Sequence, residues 1–303
     1  MKNFADRLIE AVHKKASPCV VGLDPRIDLM PEFIKSGHGQ LSRSSVCAII
    51  SDFHELVLDA VADLIPAVKP QLAFYEQYGL GGMEAFESTV RMARDRGLLI
   101  IADGKRNDIA STAEAYANAF LSNTGFFSDS MTVTPYLGRD SLEPFARACA
   151  QHGKGMFVVL KTSNPGSRDF QDQPIEATHR PLYENIAAIV EDLGTPLIGE
   201  SGYSPIGAVI GATFPEDGRR LRALMPHAII LVPGYGAQGG SAQSAAACFL
   251  ENGLGAVVSS SRGITYAHSD PGITCAAFTQ LVREKIQQMV DEIRSATSAP
   301  TPV

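Results

Sequence analysis

The chain has 303 residues, 45% hydrophobic and 19% charged, with a formal net charge of −7. That composition suits a globular protein with ample core, and an acidic balance without a long basic run argues against nucleic acid as a partner while still allowing a small anionic ligand. No apolar run reaches transmembrane length and the start reads as an amphipathic helix, so neither membrane nor signal peptide is expected; five scattered cysteines without a CxxC pair suggest reduced thiols in a cytoplasm.

In chain order, residues 3–16 predict a helix with Leu8, Ile9 and Val12 at helical spacing, stopped by Pro18. Cys19 to Leu23 is a short apolar strand finishing on Asp24. Residues 26–42 hold Pro31, Gly37 and Gly39 and read as a loop. Ser44 is the expected cap of a helix through Leu64. Ala67 to Gln71 is a second strand carrying Lys69, followed by a helix from Gly82 to Arg96. Leu98 to Ala102 is a third strand running into Asp103-Gly104-Lys105-Arg106-Asn107-Asp108-Ile109, and an Ala-rich helix covers Ser111 to Leu121.

Ser130 to Pro135 is a fourth strand and Ser141 to His152 a helix. Met156 to Leu160 is a fifth strand, leading into Lys161-Thr162-Ser163-Asn164-Pro165-Gly166. Residues 164–181 are polar and hold three prolines, so they read as an excursion or lid. Leu182 to Leu193 is helical. Either Leu197-Ile198-Gly199 or Ile206 to Ala212 could be the sixth strand, and the second is preferred because Thr213 then follows as a polar strand end. A helix from Pro215 to Met225, a strand from Ala228 to Val232, a glycine-rich run 233–240 and a helix from Ser241 to Asn252 come next. Ala256 to Ser259 is the last strand, ahead of Ser260-Ser261-Arg262-Gly263. A final helix runs from Ile273 to Ile293, and the tail 295–303 reads as frayed.

About eight strand–helix units imply a parallel sheet with right-handed crossovers. Polar residues recur at strand C-termini, which is where a (β/α)8 barrel gathers its active site. The expected fold is therefore α/β, a single (β/α)8 TIM barrel over residues 1–303. A doubly wound open sheet is the alternative, weakened by the lack of GxGxxG after the first strand.

In a closed barrel, Asp24, Lys69, Asp103, Lys105, Thr134, Ser163, Thr213, the loop 234–240 and Arg262 would converge on one mouth, with Asp108 at its rim. Asp103 and Lys105 sit two apart on a strand and so share a face. At ~4 Å and an effective dielectric of ~20, each Lys–Asp pair gains roughly 4 kcal/mol before desolvation. A lysine held charged in this way suits proton donation rather than Schiff-base chemistry, which needs a depressed pKa. A structural ion network would use the same residues, and Asp24 could simply cap the turn at Pro25. The glycine run offers close backbone N–H groups and Arg262 a bidentate clamp, together a phosphate site in the place where barrels often keep one. No metal motif, Walker pattern or nucleophile elbow stands out, so no metal or cofactor is expected.

The set Asp24, Lys69, Asp103-x-Lys105-x-x-Asp108-Ile109 resembles the orotidine 5′-phosphate decarboxylase family. Pro233-Gly234-x-Gly236-Ala237-Gln238-Gly239-Gly240 and Ser261-Arg262-Gly263 are similar to its phosphate-binding segments. Thr162-Ser163-Asn164-Pro165-Gly166 and the run 207–213 look like its longer bacterial branch, and the likeness extends from residue 19 to about 267. The resemblance implies a cofactor-independent carboxy-lyase that converts orotidine 5′-monophosphate to UMP and CO2 in pyrimidine biosynthesis. It implies that Lys105 protonates C6, that Asp103 sits against the departing carboxylate, and that Lys69 orients Asp103 and contacts the ribose. Asp24 would bind a ribose hydroxyl and Ser163 the pyrimidine edge. Gln238, Gly239, Gly240 and Arg262 would hold the phosphate. Asp108, Ile109 and Thr112 would reach the neighbouring subunit's site, which implies a homodimer.

The chemistry is consistent with this. Loss of CO2 from C6 leaves a carbanion that the ring stabilises poorly, and no pyridoxal or thiamine motif is present to act as an electron sink. The remaining route is a fixed cation where negative charge develops, with remote phosphate binding driving closure. One rival is a metal-dependent sugar-phosphate lyase or decarboxylase on the same barrel. It would need a carboxylate at the end of the second strand, where Lys69 stands. A second rival is a non-catalytic nucleotide-phosphate sensor, which would have no need of both Asp103 and Lys105.

Overall fold

In the computed structural model, which describes residues 2–236 and 239–297, period-two alternation along eight strands sorts side chains between two cores. The strands are β1 (Cys19–Leu23), β2 (Ala67–Pro70), β3 (Leu99–Arg106), β4 (Ser130–Val133), β5 (Gly155–Lys161), β6 (Ser204–Ile210), β7 (Ala228–Pro233) and β8 (Ala256–Ser260). All run parallel, each beside its neighbours in sequence, and β1 pairs with β8 to close a barrel. The expected (β/α)8 architecture is therefore the one observed.

Val21, Val68, Ile100 and Val158 point outward and pack under the helices. Val20, Ala67, Ile101, Phe157, Val209, Leu231 and Val257 point inward and fill the barrel. The bottom of that interior is sealed by α1 (Phe4–Lys15), whose Phe4, Leu8, Ile9 and Val12 join the inner core. Phe4 meets Phe157 edge to face at 5.9 Å. Burying a side chain of that size contributes about 1.5–3 kcal/mol. Asn3 caps the helix by accepting the Asp6 N–H, and Ala16 ends it in the left-handed region at φ 46°.

The outer layer holds α2 (Arg43–Val61), α3 (Gly79–Asp95), α4 (Ala110–Leu121), α5 (Arg139–His152), α6 (Leu182–Gly194), α7 (Pro215–Leu224), α8 (Ala242–Ala246) and α9 (Cys275–Thr297). Several boundaries differ from the sequence reading. The cap of α2 is Ser42, not Ser44, because Ser42 and Ser45 form a reciprocal capping box, and α2 ends at Val61. The stretch 26–42 is not all loop: it holds a 3-10 turn (Ile27–Leu29) and a one-turn helix (Glu32–Lys35). A further short helix, Leu72–Glu76, follows β2, and α3 begins at Gly79. The helix expected over Ser241 to Asn252 is only Ala242–Ala246, since the chain turns back at Leu250 and Gly253.

The sixth strand is the second of the two candidates, at Ser204–Ile210; Thr195–Leu197 is a 3-10 turn. The excursion 164–181 carries a 3-10 turn (Pro165–Asp169) and a two-residue ribbon pairing Pro174–Ile175 with Arg180–Pro181. Of the tail expected to fray from 295, residues 295–297 belong to α9, which continues through Thr297, and 298–303 lie outside the described residues.

Candidate active site

The same alternation that makes the lower barrel apolar makes its mouth polar. Two residues on from inward Ala67 comes Lys69; two on from Ile101 comes Asp103; two on from Val257 comes Ser259. These side chains line a cavity of about 510 Å³ at the C-terminal end of the barrel, floored by Val209 and Leu231. That volume falls in the range of small-molecule sites.

Asp103 is the centre of the site. Its Oδ2 accepts from Lys69 Nζ at 2.6 Å and from Gln71 Nε2 at 3.0 Å. Its Oδ1 accepts from Lys105 Nζ at 2.7 Å and from Thr132 Oγ1 at 2.8 Å. Lys69 and Asp103 are each 7% exposed at the side chain, Lys105 44%. Burial on its own would raise the Asp103 pKa, but the two lysines outweigh it and hold the carboxyl well below its usual range. Burial likewise presses Lys69 toward neutrality, and Asp103 and Asp24 reverse that, so its ammonium is held above its ordinary value.

Lys105 shares the site with Asp103 as expected, but not through simple strand geometry. Its φ is 46°, and the pairing of β3 with β4 slips between Ala102 and Arg106. A left-handed non-glycine residue costs of order 1–3 kcal/mol and persists where surrounding contacts determine it. Here the Lys105 N–H donates to Thr132 Oγ1 at 2.9 Å. Thr132 therefore binds the backbone of one charged residue and the carboxylate of the other.

Asp24 lies at the rim with Oδ1 buried and without a hydrogen-bond partner among the described residues. Ser163 and Arg262 also line the cavity. Gly22 on β1 lets Ser261 come close: a Cβ there would fall 1.8 Å from Ser261 Oγ. In the glycine run, Gly234, Gly236 and Gly239 take φ of 97°, 73° and 84°, conformations that L side chains resist. Gly239 and Gly240 do not reach the cavity wall, whereas Gly234 and Tyr235 do. Gln238 lies outside the described residues.

Thr134 and Thr213 sit at strand ends but are not among the lining residues, and neither are Asp108, Ile109 and Thr112. Asp108 Oδ1 instead accepts the Ile109 N–H at 2.7 Å, and the Ile109 side chain is exposed. The cavity also takes in residues to which sequence reasoning gave no role: Arg26, Gln71, Phe74, Thr132, Lys161 and Asn164. Gln71 and Lys161 carried a usable signal, since each stands at or just beyond a strand's C-terminal end.

Fold and site together define a (β/α)8-barrel enzyme organised around a lysine–aspartate–lysine array beside an arginine and a glycine-rich loop. The chain belongs to the orotidine 5′-phosphate decarboxylase / HUMPS family, whose model matches residues 20–278. An orotidine 5′-phosphate decarboxylase of Rhodopirellula baltica is 43% identical, over 97% of this chain and 100% of that relative. One from Caldicellulosiruptor saccharolyticus is 39% identical, over 89% of this chain and 92% of the relative. Among solved structures, an OMP decarboxylase from Leishmania donovani superposes with a TM-score of 0.76 at 30% identity, covering 98% of this chain and 99% of that one.

Proposed function

We propose that this chain converts orotidine 5′-monophosphate to UMP and CO2 in the cytoplasm, without metal or organic cofactor, with Lys105 delivering the proton to C6. The observation that carries the reading is the pair of lysines on one buried carboxylate, at 2.6 and 2.7 Å. Such an array is fixed before substrate arrives. Preorganised charge stabilises developing negative charge without reorganisation at the moment of reaction. As CO2 departs, the electron pair left on C6 meets the Lys105 ammonium, which surrenders a proton. Asp103 would face the substrate carboxylate, so its charge disfavours the bound carboxylate and not the product that has lost it.

Lys69 fixes Asp103 and, with Asp24, would take the ribose hydroxyls; the unpartnered Asp24 Oδ1 supports that role. Ser163 would read the pyrimidine edge. Arg262, with the loop of Gln238, Gly239 and Gly240, would hold the phosphate and close over it. Phosphate contacts remote from C6 can supply free energy for closure. The five cysteines are all free, in keeping with a reducing compartment. No helix among the described residues is long and apolar enough to cross a membrane.

A homodimer completes the site in this reading, with Asp108, Ile109 and Thr112 entering the neighbouring subunit. Support comes from their position outside their own cavity and from an apolar surface beside them. Asn107 Nδ2 donates to the Thr134 carbonyl, tying the loop after β3 to the loop after β4. Those loops expose Ile109, Tyr136 (84%) and Leu137, a grouping that suits an interface. The rival reading is metal-dependent sugar-phosphate chemistry on the same barrel, but Lys69 occupies the strand end where that chemistry would want a carboxylate. The deciding experiment follows loss of orotidine monophosphate absorbance with and without EDTA. Turnover unaffected by EDTA is expected. Turnover abolished by EDTA and restored by Mg²⁺ would favour the metal-dependent class, and UMP binding without turnover would favour a sensor.

A further inference from the structure

Lys161 is a buried lysine at the end of β5 for which the decarboxylation chemistry has no use. Its side chain is 2% exposed, and its Nζ pairs with Asp172 of the excursion 164–181 and lies 3.9 Å from Asp217 of α7. The ammonium also stands over the rings of Tyr183 and Phe214, 5.1 Å from each centroid. An ammonium removed from water in this way requires its counter-charge, so Asp172 is held as firmly as Lys161 is buried. The preceding residue of the excursion acts on the following residue of the strand end. Gln171 Oε1 accepts the Thr162 N–H at 3.0 Å, and Gln171 Nε2 donates to Thr162 Oγ1 at 2.8 Å. Thr162 Oγ1 in turn donates to Asn164 Oδ1 at 2.6 Å. Thr162, Ser163 and Asn164 all line the cavity.

We propose that Lys161, Asp172 and Gln171 form a latch that positions Thr162, Ser163 and Asn164 for recognition of the substrate's base, making the excursion a specificity device. The proposal rests on the reading of Ser163 as the contact to the pyrimidine edge. Among the described residues, no hydrogen bond or ion pair joins Lys161, Gln171 or Asp172 to Asp103, Lys69 or Lys105, so the effect is expected to fall mainly on the base. Gln171 and Asp172 are positioning residues: they act through the strand end and do not touch the substrate.

The test compares UMP with ribose 5-phosphate, which lacks the base, as competitive inhibitors of Asp172→Asn, Gln171→Ala and Ser163→Ala. Gln171 and Asp172 are each half-buried, and unchanged melting temperatures establish that the variants are folded. The expected result is a rise of at least fivefold in the UMP inhibition constant for the two latch variants. The ribose 5-phosphate constant should stay within twofold, and Asp172→Glu should recover most of the loss. Equal weakening of both ligands, or of neither, overturns the latch. If Ser163→Ala weakens UMP while Asp172→Asn and Gln171→Ala do not, the latch alone fails. If Ser163→Ala spares UMP as well, the base-edge assignment fails and the proposal falls with it.

Discussion

Replacing Thr132 by valine isolates a side chain that joins the Asp103 carboxylate to the Lys105 backbone. Thr132 is fully buried, so the swap keeps shape and removes only a hydroxyl. Two bonds disappear: the donation to Asp103 Oδ1 at 2.8 Å and the acceptance of the Lys105 N–H at 2.9 Å. A hydrogen bond to a charged group contributes ~1.5–3 kcal/mol, and a donor left unpaired costs ~1–3 kcal/mol. The second loss also removes support for the left-handed backbone at Lys105, φ 46°. Together these destabilise the configured site by about 3 kcal/mol, shared between folding stability and the reaction barrier. If about half falls on the barrier, kcat drops by roughly tenfold. The assay is orotidine monophosphate turnover alongside urea unfolding and UMP binding. A kcat lowered tenfold or more, stability lowered by about 1–2 kcal/mol and UMP affinity within about threefold are expected. A variant matching the parent in kcat and in unfolding midpoint would refute the idea that Thr132 holds the Lys105 backbone in place.

Lys105→Ala should abolish turnover while UMP binding remains measurable by calorimetry; residual activity near the parent level would remove Lys105 as proton donor. Arg262→Ala should raise KM by tenfold or more with a smaller change in kcat, and an unchanged KM would end the phosphate assignment. Mixing Lys105→Ala and Asp108→Ala subunits, each inactive alone, should restore about a quarter of parental activity, because half the dimers regain one intact site; no recovery after subunit exchange would argue against a shared site. His54 provides a pH prediction. Burial pulls its pKa down from 6.5 to about 3. The folded form therefore holds it neutral while the unfolded chain takes up a proton. Its contribution is complete above pH ~6.5 and is lost as pH falls toward 3, amounting to about 2 kcal/mol by pH 5. Urea midpoints at pH 7.5 and 5 should fall further apart in the parent than in His54→Leu, and parallel behaviour would contradict the assignment.

The barrel was legible because apolar runs of strand length recur with polar residues at their C-terminal ends. Cys19 to Asp24, Ala67 to Gln71 and Leu98 to Asp103 each state both a strand and its functional end. The Lys69, Asp103, Lys105 constellation was legible for the same reason. The helix Glu32–Lys35 was hidden by the Pro31, Gly37 and Gly39 around it, and Leu72–Glu76 is too short for helical periodicity to register. Ala242 to Ala246 was overextended because alanine and serine say little about where a helix stops. Thr132 escaped notice because a neutral hydroxyl inside an apolar strand looks like filler until the strand beside it is known. Lys161 was visible as a strand end, but its partner Asp172 lies eleven residues away in a segment without periodic pattern. The left-handed Lys105 had no signal at all, since Gly104 beside it is the residue that would be expected to bend.

A barrel corked at its base has a single doorway. Phe4, Leu8 and Val12 plug the base, and Val209 and Leu231 floor the cavity above them, so among the described residues the way out is the mouth. In the proposed reaction, carbon dioxide freed inside that cavity would depart past the nucleotide that released it or wait for that nucleotide to go. The plug would then set the order of traffic, and a loop closing over a bound phosphate would also govern escape of the gas.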